Sequence, residues 1–397
     1  MGHRHSLLWD IPIAPRSDPN GLHAGKPRKE KNNIETKTNS NDMKRIPVTL
    51  LWASSLLLLL PAASCTDTLG GDPDTDARAI TFTPAAETRA AVENDFPAGS
   101  SFSVWGWYGT DSQITNNVFD SETVTKSGEA WTYGGGNRYW IAGMTYNFYG
   151  VYPVYPQTSN DNGTTATVDN KGKITVTNFD CSAFGEGTVD LMTATAPGLS
   201  GDVAPVVAME FKHTLTRITF SAKLADRLDE GYSLQVNEVA LWASNEGTMT
   251  QDMSQADSQP VWTTEPYLQD GDDEGDINEE YNAYLYRLTT ADGALQSASI
   301  PTGSAVLLNV KGKGDLLAIP QEMNYTRPVL AINYTLSYGG STTSPVWKVY
   351  PLRGNTDWTP GASLNYTFTI DEDNAYFTVS VGDWIDGNKG NENVEFD

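Results

Sequence analysis

From residue 80 onward, apolar and aromatic residues recur in short alternating runs separated by clusters of Gly, Asn, Asp and Pro. Alternation with a period of two puts successive side chains on opposite faces of an extended strand, whereas an amphipathic helix needs apolar residues at three- and four-residue intervals. Nowhere do four turns of helical periodicity persist. Strands are expected over 102–108, 146–153, 173–177, 217–222, 234–242, 305–310, 329–336, 346–350, 366–370 and 376–381, and 79–83 also reads as strand-like. The expected class is therefore all-β, with enough short strands for two antiparallel β-sandwich domains. At Ala196-Pro197-Gly198-Leu199-Ser200-Gly201-Asp202 turn formers precede an apolar run, which divides the chain into 80–202 and 203–397.

The earlier sequence has a different texture. Met43-Lys44-Arg45 supplies a positive start, 48–60 an apolar stretch too short to span a bilayer, and Pro61-Ala62-Ala63-Ser64 leads small residues into Cys65. Residues 43–64 read as a lipoprotein signal peptide, with Cys65 as the lipidated N-terminus. The polar, aperiodic residues 1–42 are expected to be an upstream extension from a misplaced start codon. Residues 65–79 are rich in short residues, Gly, Pro and Asp and read as a tether.

Composition narrows the chemistry. Export removes nine of the 26 Lys and Arg and five of the 50 Asp and Glu, leaving 17 basic against 45 acidic residues and a net charge of −28. Such a surface argues against nucleic acid as a partner. His3, His5 and His23 leave with the signal, so His213 is the sole remaining histidine and Cys181 the sole cysteine not committed to lipid. An internal disulfide and Cys/His zinc sites are thereby excluded. Asp270, Asp272, Glu274 and Gly275 imitate a calcium loop, but Tyr281 stands at the twelfth position where a bidentate Glu is needed, so the segment reads as an acidic surface loop. No metal or cofactor is expected.

Catalysis finds no anchor either. With 45 carboxylates, some pair at glycosidase spacing is inevitable and means nothing. His213 has no Gly-x-Ser-x-Gly elbow to serve and reads as a packed or boundary histidine. Aromatic residues crowd the first domain, and Trp105, Trp107, Trp131 and Trp140 are candidate glycan contacts because ring faces can hold sugars. Trp105 and Trp107 share one strand face, so both are core or both are surface, and core is the favoured reading.

A series of motifs in order carries a family resemblance: the small residues before Cys65, Ile80-Thr81-Phe82 followed by Thr88-Arg89-Ala90, and the aromatic strand 102–108. Next come Phe211-Lys212-His213-Thr214-Leu215-Thr216-Arg217-Ile218 and Leu317-Ala318-Ile319-Pro320-Gln321. Trp358-Thr359-Pro360-Gly361-Ala362-Ser363-Leu364-Asn365-Tyr366-Thr367-Phe368 and the ending 379–384 complete it. Together they resemble the fimbrillin family, the subunits of type V pili and related surface lipoproteins of Bacteroidota. That resemblance implies two transthyretin-like β-sandwiches in tandem and a lipidated precursor displayed at the outer membrane and cell surface. It also implies an arginine-specific protease that removes the lipid and the first strand, and pilin partners that refill the gap by strand exchange.

On this chain the cut maps to Arg89–Ala90, which would release Ile80 and Phe82. Arg78 is the runner-up, but a cut there would leave that strand in place. The candidate donor strand is the tail, where Val394 and Phe396 alternate with acidic residues; pairing of the tail within its own domain is the plain alternative. The expected role is a non-catalytic pilus subunit or an accessory anchor or tip subunit that adheres to host or bacterial surfaces. The competing expectation is a permanently anchored glycan-binding lipoprotein.

Overall fold

The alternating runs become strands in the computed structural model, which describes residues 78–86, 96–110, 113–255, 257–264, 285–297, 299–323, 329–352, 356–372, 374–383 and 392–394. In chain order these are β1 Phe82–Ala86, β2 Ser101–Thr110, β3 Gln113–Ser127, β4 Ala130–Tyr133, β5 Thr145–Tyr152, β6 Thr165–Val168, β7 Lys173–Asp180 and β8 Met192–Ser200. There follow β9 Val207–His213, β10 Thr216–Leu224, β11 Tyr232–Trp242, β12 Glu246–Asp252, β13 Val261–Thr264, β14 Leu285–Thr289, β15 Ile300–Pro301 and β16 Val306–Leu307. The last are β17 Leu316–Ala318, β18 Val329–Tyr338, β19 Ser341–Thr342, β20 Val346–Pro351, β21 Ala362–Ile370, β22 Ala375–Asp383 and β23 Glu392–Val394. Among the described residues the only helical element is a 3₁₀ turn at Gly185–Gly187. The chain is all-β.

A seven-stranded sheet runs β1-β9-β8-β5-β2-β3-β4. It curls until its edges meet: Ala79, just before β1, bridges antiparallel to Tyr139, just after β4. Its concave side holds Phe82, Phe102, Val104, Phe119, Tyr146, Phe148, Met209 and Phe211, all buried. Rings this large need room from the backbone. A Cβ on Gly150 would lie 2.8 Å from Phe211 Cζ and 2.9 Å from Met209 Cε, so glycine at this inward position is what lets the aromatic layer close.

On the convex side Trp105, Trp107, Tyr149 and Val151 join Ala166, Ile174 and Val176 in a second, larger core. The strands behind that contact form a four-stranded sheet, β13-β12-β7-β6. The larger core continues between a sheet built on β10, β21, β22 and β23, flanked by β16 and β17, and one built on β14, β11, β18 and β19, flanked by β15 and β20. β10 and β21 are parallel, from Arg217 opposite Ser363 to Leu224 opposite Ile370.

The division expected at 202/203 does not coincide with the pairing. β9 lies beyond it yet pairs with β8 and β1 in the seven-stranded sheet, while β12 from the later half pairs with β7 from the earlier one. Turn chemistry at 196–202 marks a real chain reversal, but a reversal inside a sheet and one between domains look alike in sequence. β3 was not among the expected strands. Its fifteen residues are mostly polar: only Phe119 and Val124 are fully buried, with Ile114 and Val118 partly buried against the cores.

Candidate functional site

The feature with most chemical consequence is where the curled sheet closes. Ile80, Phe82 and Pro84 are buried while Thr81, Thr83 and Ala85 are exposed, the alternation that seats one face of a strand in a groove. β1 runs parallel to β9, with Phe82 opposite Val207, Pro84 opposite Met209 and Ala86 opposite Phe211, and the Val207 N–H donates to the Thr81 carbonyl at 2.8 Å.

On the other side the Ile80 N–H donates to the Arg138 carbonyl at 2.8 Å, the Trp140 N–H to the Arg78 carbonyl at 3.1 Å, and the Tyr133 hydroxyl to the Ile80 carbonyl at 2.9 Å. Residues 78–86 therefore form the seam of the curled sheet, with 81–86 bonded to β9 on one edge and 78–80 to 138–140 on the other. Pro84 has no N–H, which leaves the seam fewer ladder bonds than its length would otherwise allow.

Side chains fill what the backbone brackets. The Phe82 ring meets Phe119 at 5.3 Å, Phe148 at 5.8 Å, Tyr133 at 6.0 Å and Phe102 at 6.1 Å between centroids, each close to edge-on. Arg138 steadies the far wall: its Nη2 is 2.6 Å from Glu122 Oε2, and its guanidinium lies 4.7 Å from the Phe119 ring centre and 5.4 Å from that of Tyr133. That Tyr133, Arg138 and β9 hold this strand was not read from the sequence. They lie 50 to 130 residues from the strand they hold, and no local pattern signals such partners.

The segment carrying Arg89 and Ala90 lies outside the described residues, but both of its ends are held. Upstream is β1. Downstream, Phe96 is 5 % exposed, contacts Trp131, Tyr152 and Phe211, and accepts a bond from Lys126 Nζ at 2.7 Å through its carbonyl. Arg78 is placed differently: its carbonyl is bonded to Trp140, and its guanidinium donates to the Val203 carbonyl.

The other sequence candidates fall out as follows. Trp105 is fully buried, Trp107 is 8 % and Trp140 7 % exposed, so none can offer a ring face to a sugar. Trp131 is half-buried, against Phe96 and Phe102. Trp105, Trp107 and Trp140 fill core volume. His213 is buried with Nδ1 2.9 Å from Asp190 Oδ2, a packed histidine. The Cys181 thiol is buried against the Tyr286 hydroxyl, and burial pushes it up to about 12.

In the tail, β23 pairs antiparallel with β22 of its own chain, Val394 opposite Val379 and Glu392 opposite Val381. Phe396, Cys65 and the acidic segment 270–281 lie outside the described residues.

Comparison with known proteins gives this architecture relatives. No curated protein matches the chain. Among solved structures, a fimbrial protein from Bacteroides vulgatus shares the fold with a TM-score of 0.53 at 18 % identity, over 77 % of this chain and 99 % of that one. A structure described as a cell adhesion protein from Bacteroides uniformis aligns over 79 % of this chain and 100 % of its own at 14 % identity, with a TM-score of 0.41. The fimbrillin-like family model matches residues 88–384. The chain belongs to the fimbrillin-like family.

Proposed function

We propose that the chain is a cell-surface pilus subunit, or an accessory anchor or tip subunit, whose first strand is a removable plug. Family membership supports a surface-appendage role in adhesion with no catalytic step. In this reading Cys65 carries the lipid that holds the precursor at the outer membrane, an arginine-specific protease cuts between Arg89 and Ala90, and a strand from a neighbouring subunit replaces 78–86. The candidate donor is the tail containing Val394 and Phe396.

The observation that carries the proposal is the double-edged seam. Taking out 78–86 unpairs backbone groups along both β9 and 138–140 and opens an aromatic floor, a state that is costly until another strand enters. Ile80 and Phe82, at roughly 1.5–3 kcal/mol each for burial, oppose release, so a cut alone leaves the plug seated until it is displaced. The choice of Arg89 over Arg78 is supported by the pairing around Arg78, which keeps its peptide bond out of the extended, unpaired form that proteases bind.

The test is cleavage of the secreted form beginning at Thr66 with an arginine-specific protease, mapping the new N-terminus and following size by sedimentation and electron microscopy. A new N-terminus at Ala90 and filaments that disappear in Arg89→Ala are expected. Filaments that form equally well in Arg89→Ala, or a cut at Ala90 that never leads to assembly, overturn the proposal.

A further inference from the structure

The seam is closed unevenly. Backbone bonds to 138–140 hold its second edge over 78–80, yet β1 itself has a ladder partner in β9 alone. In a parallel ladder alternate residues turn their main chain to the same neighbour. The Val207 N–H bonds the Thr81 carbonyl with Phe82 opposite Val207, so Thr81, Thr83 and Ala85 face β9 and the main-chain groups of Phe82 and Pro84 point the other way. Pro84 thus sits where a missing N–H breaks no bond to β9.

On that side lies the free edge of β4. It is the last strand of the seven-stranded sheet and, followed through the pairing of the sheet, runs antiparallel to β1. Trp131 is opposite Lys126, whose N–H donates to the Ser100 carbonyl at 2.9 Å and whose carbonyl accepts from the Gly99 N–H at 3.1 Å, both away from β4. A facing antiparallel pair exchanges two bonds or none, so Trp131, and by alternation Tyr133, turn their N–H and C=O toward the seam. The Tyr133 hydroxyl bonds the Ile80 carbonyl and its ring lies 6.0 Å from that of Phe82, but among the described residues no backbone bond joins 82–86 to β4. Between β4 and 138–140 the chain loops out through Gly134-Gly135-Gly136, the last two at φ +72° and +85°, so the edge that bonds 78–80 is not continuous with β4.

We infer that β4 is a second bonding edge of the seam, unused by β1 and taken up by a proline-free strand from a second copy of this chain, with Pro84 the residue that makes β1 the weaker occupant. The inference rests on the removable-strand reading and adds the direction of the exchange. An extended strand with an N–H at the position of Pro84 donates to β4 while its alternate groups bond β9, so it is held along both edges where β1 is held along one. A resident strand that satisfied both edges would leave an incoming one nothing to gain. The side chains ask for apolar residues at the positions of Ile80, Phe82 and Pro84, all buried; the main chain asks only that proline be absent from the third. No proline follows Pro360, so the candidate tail meets that condition.

Two peptides of residues 79–86 test it, one with Pro84→Val and one with N-methylvaline at the same position, which keeps the side chain and, like proline, lacks the N–H. In the Arg89-cut secreted form the Pro84→Val peptide is expected to displace the resident strand with roughly fivefold higher affinity than the N-methylvaline peptide, the worth of one net hydrogen bond. In the uncut secreted chain carrying Pro84→Val, the amide at position 84 is expected to be protected from hydrogen exchange to within about tenfold of the Thr83 amide, which faces β9. Equal affinity of the two peptides, or exchange at position 84 at the rate of an unstructured peptide, overturns the inference and leaves the removable strand standing. Entry of neither peptide into the cut chain overturns both.

Discussion

Phe82→Ala removes the side chain on which the seam depends most. Phe82 is 4 % exposed and its ring is enclosed by Phe102, Phe119, Tyr133 and Phe148. Truncating such a residue costs about 3–5 kcal/mol, the lost transfer energy plus the cavity left where the rigid rings do not collapse. After a cut at Arg89 the plug is held by noncovalent contacts alone, so a loss of about 3 kcal/mol corresponds to roughly a hundredfold weaker hold at 1.4 kcal/mol per tenfold.

The assay is exchange of bound plug for labelled 79–86 peptide in the cut protein, with urea unfolding of the uncut chain measured in parallel. Plug release should accelerate by roughly a hundredfold. Thr83→Ala, at an exposed position of the same strand, should leave stability within about 0.5 kcal/mol. If Phe82→Ala and Thr83→Ala release the plug at the same rate, the groove is not what retains the strand and the reasoning fails.

Gly150→Ala should destabilise by about 1–3 kcal/mol through overpacking against Phe211 and Met209, read as a lower urea midpoint at unchanged slope. Arg138→Gln removes the Glu122 pair and the stacking on Phe119 and Tyr133; because the pair is partly exposed, global stability should fall by only about 1 kcal/mol, while hydrogen exchange at the Ile80 amide should rise well above the change seen in β10. The Cys181 thiol, raised from 9.0 to about 12, should resist thiol reagents at pH 8 in the folded chain and react on unfolding. Because the unfolded thiol loses its proton first, its share of stability is present below pH 9 and declines as pH rises toward about 12; Cys181→Ser should flatten that part of the pH profile, and rapid labelling of the native chain would contradict the buried placement.

The sequence by itself determined the all-β class and many of the strands. Period-two alternation is a local property, so strands such as those holding Phe102, Phe148, Phe220 and Phe368 could be expected without knowing their partners, and Trp105 and Trp107 could be assigned one common side. Local too was the strand-like character of 79–83 ahead of Arg89. Tertiary structure alone decided which strands are neighbours. Nothing in 80–86 announces that it will lie parallel to β9, more than 120 residues away, or that 138–140 will close on its other edge. β9 fell at the opening of the expected second domain because its alternation fits any sheet, and β3 was not among the expected strands because a strand with one exposed face can be mostly polar. Side-chain periodicity specifies which face is buried. Backbone hydrogen bonds, the same for every residue but proline, carry no sequence signature, so the pairing that makes β1 the seam emerges only when the sheet curls and its edges meet.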